Sequence, residues 1–142
     1  DALLVILAVG GYTFVKTVDR LVPSAFLHGK YSLQLTGDGA GKGVMQTIAR
    51  SGFAGDKYAL TLWSKARALP MAGLYAVQLT FLNGQAPVGT FTAKFANGTH
   101  TWQKAAGTFT APARYTSIRV MILFQKTNGT AWFDGASLFQ TH

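Results

Sequence analysis

An all-β fold, a sandwich or barrel of about ten antiparallel strands, is what the sequence predicts. Three observations predict it. Apolar and polar residues alternate with period two through most of the chain, as in residues 57–66, where Tyr58, Leu60 and Leu62 fall on one side and Ala59, Thr61, Trp63 and Lys65 on the other. Turn-forming clusters recur every ~8–12 residues, a spacing that suits short strands. No stretch carries the i, i+3, i+4 apolar pattern of a helix.

The elements follow in order. Residues 2–9 are a continuous apolar run ended by Gly10-Gly11. The run reads as a strand covered on both faces, or alternatively as a helix that begins an assembly. Residues 12–18 alternate and read as a strand, and residues 19–27, with Pro23 and Ser24, as a loop. Residues 31–36 alternate, residues 37–41 form a glycine-rich turn, and residues 43–49 form the next strand. A turn over 51–56 leads into the strand 57–66. After a loop around Pro70, residues 74–82 place Tyr75, Val77, Leu79 and Phe81 on one face. Asn83-Gly84 follows, a strong hairpin signal. Residues 88–95 alternate again. Asn97-Gly98 is a second turn, and 100–110 is a strand with a bulge expected at 105–107. In residues 115–126, Ile118, Val120, Ile122 and Phe124 point inward, and Ser117, Arg119, Met121, Leu123 and Gln125 outward. Asn128-Gly129 turns the chain into a last strand, 130–140. The 142 residues show no internal repeat and no linker, so residues 1–142 read as a single domain, with 1–11 an apolar first strand that could be exchanged with a neighbouring subunit.

Composition narrows the function. Hydrophobic residues make up 49% of the chain, enough for a full core, and charged residues only 13%, against about 25% in an average domain. Thr, Ser, Gln, Asn and Gly must cover much of the surface, as in many extracellular β proteins. Thirteen Lys and Arg face five Asp and no Glu, for a net charge of +8. The basic residues are scattered singly, which argues against specific nucleic-acid binding and leaves attraction to an acidic polysaccharide or to a negative surface. Without Cys there is no thiol nucleophile and no disulfide to mark the compartment. The chain starts at Asp1, not Met, and reads as a processed or excised piece. Residues 2–9 are too few to span a bilayer and lack the basic start of a signal peptide.

Six segments in their order resemble a known family. They are Lys30-Tyr-Ser-Leu-Gln-Leu-Thr-Gly37, Gly43-Val-Met-Gln-Thr-Ile48, residues 55–65, Thr101-Trp102, Thr108-Phe-Thr-Ala-Pro112 and Ala131-Trp-Phe-Asp-Gly-Ala-Ser-Leu138. Together, over residues 28–139, they resemble the carbohydrate-binding modules of the galactose-binding-domain-like jelly-roll type, families 4, 9, 16 and 22. The resemblance implies two antiparallel sheets, a glycan bound on a sheet face through an aromatic ring and polar side chains, and a secreted or cell-surface setting. It also implies a structural calcium held by an acid of the last strand, which Asp134 matches, together with an N-terminal acid. That second acid is missing, because the apolar run 2–9 stands in its place, and calcium needs about six to eight oxygens.

The residues themselves point the same way. Catalysis looks poor: a glycosidase of the usual kind needs two carboxyls about 5–9.5 Å apart, and Asp19, Asp38 and Asp56 fall in expected loops. His28, His100 and His142 show no zinc-type spacing. Trp63 offers an indole face that can cover the C–H face of a sugar, with Thr61 and Lys65 beside it to fix orientation. Gln78 and Thr80 point outward from the next strand, Arg119 and Gln125 from the strand 115–126. If the three strands adjoin, Trp63, Gln78 and Arg119 converge; the other reading has the loop 19–27 cover Trp63 as core. Trp102 and Trp132 read as core or edge aromatics, Met45 and Met121 as packing. Asp134 is a calcium ligand or a backbone acceptor. Asn97-Gly-Thr99 and Asn128-Gly-Thr130 match the N-glycosylation sequon and also the turn pattern. The expectation is therefore a non-catalytic glycan-binding module. The alternative is a structural subunit of an extracellular filament, surface layer or capsid decoration, assembling through residues 2–9.

Overall fold

The computed structural model describes residues 20–22, 32–38, 41–70, 73–125 and 128–141. The apolar run 2–9, the strand expected at 12–18 and most of the loop 19–27 lie outside them. Nine strands are described: β1 (Arg20–Val22), β2 (Ser32–Asp38), β3 (Gly41–Ile48), β4 (Lys57–Leu69), β5 (Leu74–Asn83), β6 (Ala86–Lys94), β7 (Gly98–Thr110), β8 (Ser117–Gln125) and β9 (Asn128–Thr141). They form a five-stranded sheet in the order β1-β2-β9-β4-β7 and a four-stranded sheet in the order β3-β8-β5-β6. Every pairing is antiparallel.

Alternation explains the layering. In β4, Tyr58, Leu60 and Leu62 are buried, and the residues between them are half-buried. In β5 and β8 the inward set is Tyr75, Val77, Leu79, Phe81, Ile118, Val120, Ile122 and Phe124. These side chains meet across the two sheets in one core. Rings join the layers: Tyr58 lies 5.8 Å from Phe81, Tyr75 5.9 Å from Phe133, and Phe91 stacks on Phe109 at 5.2 Å. Tilted and edge-on pairs of this kind add about 0.5–1.5 kcal/mol each beyond the area they bury.

Four expectations need correction. Residues 20–22, expected as loop, pair as a short edge strand just before Pro23, a place where a strand interrupted by proline can still pair. The glycine-rich turn expected at 37–41 is narrower, because Gly37 and Asp38 still pair with Gly129 and Asn128. Of the three Asn-Gly turns, only Asn83-Gly84 closes a hairpin, between β5 and β6. The other two carry the chain from one sheet to the other, β6 to β7 and β8 to β9. All three glycines have positive φ, which is why the residue pair suits both kinds of connection. Finally, β7 shows no bulge at 105–107: Leu62, Thr61 and Leu60 pair in sequence with Ala105, Ala106 and Gly107. Gly107 makes room for a ring instead, since a Cβ there would stand 2.7 Å from Phe109.

Candidate functional site: an indole and cation face on the five-stranded sheet

The sheet topology separates the residues expected to converge. Trp63, Thr61 and Lys65 lie on β4 in the five-stranded sheet, on the side away from the core. Gln78 and Arg119 lie on β5 and β8 in the four-stranded sheet. Gln78 and Arg119 do come together: Thr80 pairs with Arg119 and Gln78 with Met121, one step diagonal. Gln125 falls at the end of β8, opposite Gly41 and Leu74. With a core between the sheets, Trp63 cannot share a ligand with Gln78 and Arg119.

The two outer faces differ in chemistry. On the four-stranded sheet, Gln78 amide nitrogen reaches Thr92 hydroxyl at 3.4 Å, and the Thr80 and Thr90 hydroxyls stand 3.3 Å apart. Ala76, Met121 and Leu123 beside them are buried. Arg119 is half-buried, and its Nε has no hydrogen-bond partner. Among the described residues this face carries no aromatic ring.

The face of the five-stranded sheet carries two indoles. Trp63 pairs with Lys104 of β7 and with Asp134 of β9, and the Lys104 ammonium sits 5.8 Å from the Trp63 ring centre. Two residues on, Lys65 pairs with Trp132, and Trp132 with Gln34 of β2. The Lys65 ammonium lies 5.5 Å and the Arg67 guanidinium 5.8 Å from the centre of the Trp132 ring. Such contacts fall within the range in which the ring face attracts a cation. Both indoles are half-buried. Trp132, read from sequence as a core or edge aromatic, is thus a surface plate; the apolar-polar alternation of Ala131, Trp132, Phe133 and Asp134 was the signal for it, because it puts Trp132 on the side of Asp134 and opposite Phe133.

The plate is held from beneath. Trp132 Nε1 donates to Gln34 Oε1 at 3.0 Å. Ser64, buried directly under this face, donates its hydroxyl to the Trp132 carbonyl at 2.8 Å. That hydroxyl has one proton to give, so Tyr75 OH donates to Ser64 Oγ in turn. Burial, partly offset by the bond to Ser64, pushes the Tyr75 phenol well above its ordinary range and keeps it a donor.

Next to Trp132 the ladder between β4 and β7 breaks twice. Ser64 pairs with Gln103 and Ala66 with His100, then Leu69 with Gly98. Each strand therefore contributes one extra residue, a pair of bulges within a few positions. Ala68 takes a left-handed conformation, φ 59°, and its amide donates to Thr99 Oγ1 at 3.0 Å. The opened stretch forms a groove of about 530 Å³ lined by Lys65, Ala66, Arg67, Thr99, His100, Thr101 and Trp132. His100 is a wall of it: its two ring nitrogens face the carbonyls of Thr101 at 2.7 Å and Ala96 at 2.9 Å, and its ring stacks 6.0 Å from Tyr75. Trp102, half-buried, lies in the bulged part of β7.

The two acids with described side chains stand far apart. Asp56 precedes β4, where it accepts from Tyr115 OH at 2.8 Å and from the Phe53 amide at 3.0 Å. Asp134 lies opposite Trp63, seven positions along β4 from Asp56, or about 23 Å at the rise of a strand. No group of three or more His, Cys, Asp or Glu that could hold a metal occurs among the described residues. Asp1 and Asp19, the acids early enough in the chain to join Asp134, lie outside them.

No family model matches the chain. The tRNA nuclease WapA of Bacillus subtilis is 32% identical over 107 residues, which are 71% of this chain and 5% of that protein, so the chain spans about a twentieth of the curated relative. Among solved structures, family 16 carbohydrate-binding module 2 superposes with a TM-score of 0.66 at 23% identity, covering 91% of this chain and 86% of that one. The enzymatically active domain of tailspike protein 4 from bacteriophage CBA120 superposes with a TM-score of 0.68 at 18% identity, over 84% of this chain and 17% of that one. The CBM22-1 xylan-binding domain of Paenibacillus barcinonensis Xyn10C covers 99% of this chain and 94% of its own, at 16% identity and a TM-score of 0.58. The chain has the jelly-roll fold of carbohydrate-binding modules.

Proposed function

We propose that this protein is a non-catalytic glycan-binding domain that works at a cell surface or outside the cell, and that it binds on the outer face of the five-stranded sheet. One observation carries this: two half-buried indoles share that face, each with at least one cation over its ring. Trp63 and Trp132 would cover the C–H faces of sugar rings, and Thr61, Lys65 and Gln34 would orient the hydroxyls. The jelly-roll fold it shares with modules named for carbohydrate binding supports the reading. Asp56 and Asp134 stand too far apart to be the two carboxyls of a glycosidase. A domain serving a larger protein also fits the small share of WapA that the chain spans; the nuclease activity in that name belongs to the whole protein.

Polysaccharide gel retardation tests it. The wild type should be retarded, Trp63→Ala and Trp132→Ala should run free, and Gln78→Ala and Arg119→Ala should behave as wild type. Loss only in the Gln78 and Arg119 variants would move the site to the four-stranded sheet. Retention of no variant and no wild type by any polysaccharide would end the reading.

A structural calcium held by Asp134 belongs to the same proposal. A melting temperature that rises with calcium, falls back with chelator and no longer responds in Asp134→Asn is the expected result. A second reading is a structural subunit that assembles through the apolar residues 2–9. Sizing the protein with and without residues 1–11 tests that; a monomer in both cases removes it.

A further inference from the structure

We infer that the groove beside Trp132 binds an acidic polysaccharide, with a sugar carboxylate seated between Lys65 and Arg67. This rests on the glycan reading above and names the class of ligand.

The groove concentrates positive charge around an apolar plate. Lys65 and Arg67 stand 5.5 and 5.8 Å from one indole centre. Two cations that share one ring repel each other, and an anion between them relieves that repulsion. A guanidinium fits a carboxylate with two parallel hydrogen bonds. The remaining lining is Thr99, Thr101 and His100. Thr99 already accepts the Ala68 amide, and His100 turns both nitrogens to carbonyls. The Thr99 and Thr101 hydroxyls can still meet a neutral sugar, and Lys65 and Arg67 add the groove's charged donors.

The geometry is fixed before a ligand arrives. The double bulge spreads β4 from β7 and leaves Arg67 beside the plate instead of in a regular ladder. Gln34 and Ser64 hold the indole and its backbone. A site set in advance loses little freedom on binding.

A polymer is indicated by what lies next along the face. Trp63 and Lys104 repeat the pairing of indole and ammonium. Trp63 lies two positions from Lys65 on β4, about 7 Å at the rise of a strand, and Lys65 is the residue paired with Trp132. One sugar on Trp132 thus has a neighbour's place on Trp63, with a second cation for a second acid. The chain's excess of thirteen basic over five acidic residues draws in such a polyanion. RNA would also be drawn, but surfaces for single-stranded nucleic acid join several stacking rings to a continuous basic track. Among the described residues, three cations stand beside the two indoles.

The test is affinity electrophoresis and calorimetry with polygalacturonate, with the same polymer after its carboxylates have been reduced to alcohols, and with a single-stranded RNA homopolymer. The proteins are wild type, Lys65→Gln/Arg67→Gln, Trp132→Ala and, as a control at the far end of the sandwich, Arg114→Gln. Thermal melts confirm that each is folded. Wild type and Arg114→Gln should bind polygalacturonate, with affinity falling as salt rises toward about 0.15 M. The double variant should lose about tenfold or more for polygalacturonate and clearly less than that for the reduced polymer. Trp132→Ala should lose both. Equal wild-type affinity for the acidic and reduced polymers overturns the acidic ligand and leaves the glycan reading standing. No binding to either polymer ends both. Tighter binding of RNA, lost in the same variants, assigns the groove to nucleic acid instead.

Discussion

Gly129 shows how one residue can hold a binding face together. It pairs with Gly37 at the start of β9 and takes φ 87°. A Cβ there would stand 2.6 Å from the carbonyl oxygens of both Arg67 and Ala68. Gly129→Ala should therefore cost about 2 kcal/mol or more, read as a lower urea midpoint, and should weaken polysaccharide binding by displacing Arg67. Ser64 is the second such residue. Ser64→Ala leaves Tyr75 OH buried without its acceptor, which costs about 1–3 kcal/mol. Part of this was legible in the sequence. Alternation put Trp63, Thr61 and Lys65 on one face of β4, where they are. It could not show that Ser64, an inward-facing polar residue, braces the neighbouring strand, because that depends on which strand lies beside β4.

At the scale of elements, pairing partners were the hidden variable. Period two tells which way a side chain points and says nothing about which sheet its strand joins. Trp63, Gln78 and Arg119 were each assigned to an outward face correctly, and they still fall on opposite sides of the molecule, because β4 pairs with β7 and β9 while β5 pairs with β6 and β8. The bulges were hidden for a related reason. The sequence signal at 105–107 was two small residues and a glycine, but Gly107 serves the Phe109 ring. The actual bulges carry Arg67, Ala68 and the stretch around Thr101, with no glycine among them. Ala68 is the strained point. Ala68→Gly removes a left-handed alanine, which costs roughly 1 kcal/mol, so chemical denaturation should show equal or higher stability. The same variant loosens the bend that presents Arg67, so its affinity for polygalacturonate should fall.

At the scale of the whole molecule, the two sheets are tied by buried phenols. Tyr58 OH donates to Tyr115 OH at 2.6 Å, and Tyr115 OH to Asp56. Burial first, then the bonds to Tyr58 and Asp56 and their charge, raises the Tyr115 phenol far above its ordinary value. Tyr75 is raised as well, again chiefly by burial. Both must stay protonated in the folded chain, whereas the unfolded chain releases their protons from about pH 10 upward. The unfolded state then binds fewer protons than the native state, so stability falls as pH rises. Urea midpoints should be level with respect to these groups up to about pH 10 and then drop, by up to about 1.4 kcal/mol per pH unit for each phenol. In Tyr75→Phe the drop should be shallower. From β2 to β9 the all-β character was legible, since alternation and turn spacing point to a sandwich or barrel; the two layers came from the family resemblance, and β1, expected as loop, was missed. The assignment of strands to sheets was not legible.

The contact between Trp132 and Gln34 joins residues 98 apart in the chain. Such a closure is slow to find, and folds built from distant pairings take milliseconds to seconds to form. The indole plate is thus absent until β2 and β9 have met. Trp132 emission should change in the slowest refolding phase, together with the return of polysaccharide binding, and a nascent chain released before β9 would lack both the plate and the core residues Ala131, Phe133 and Leu138.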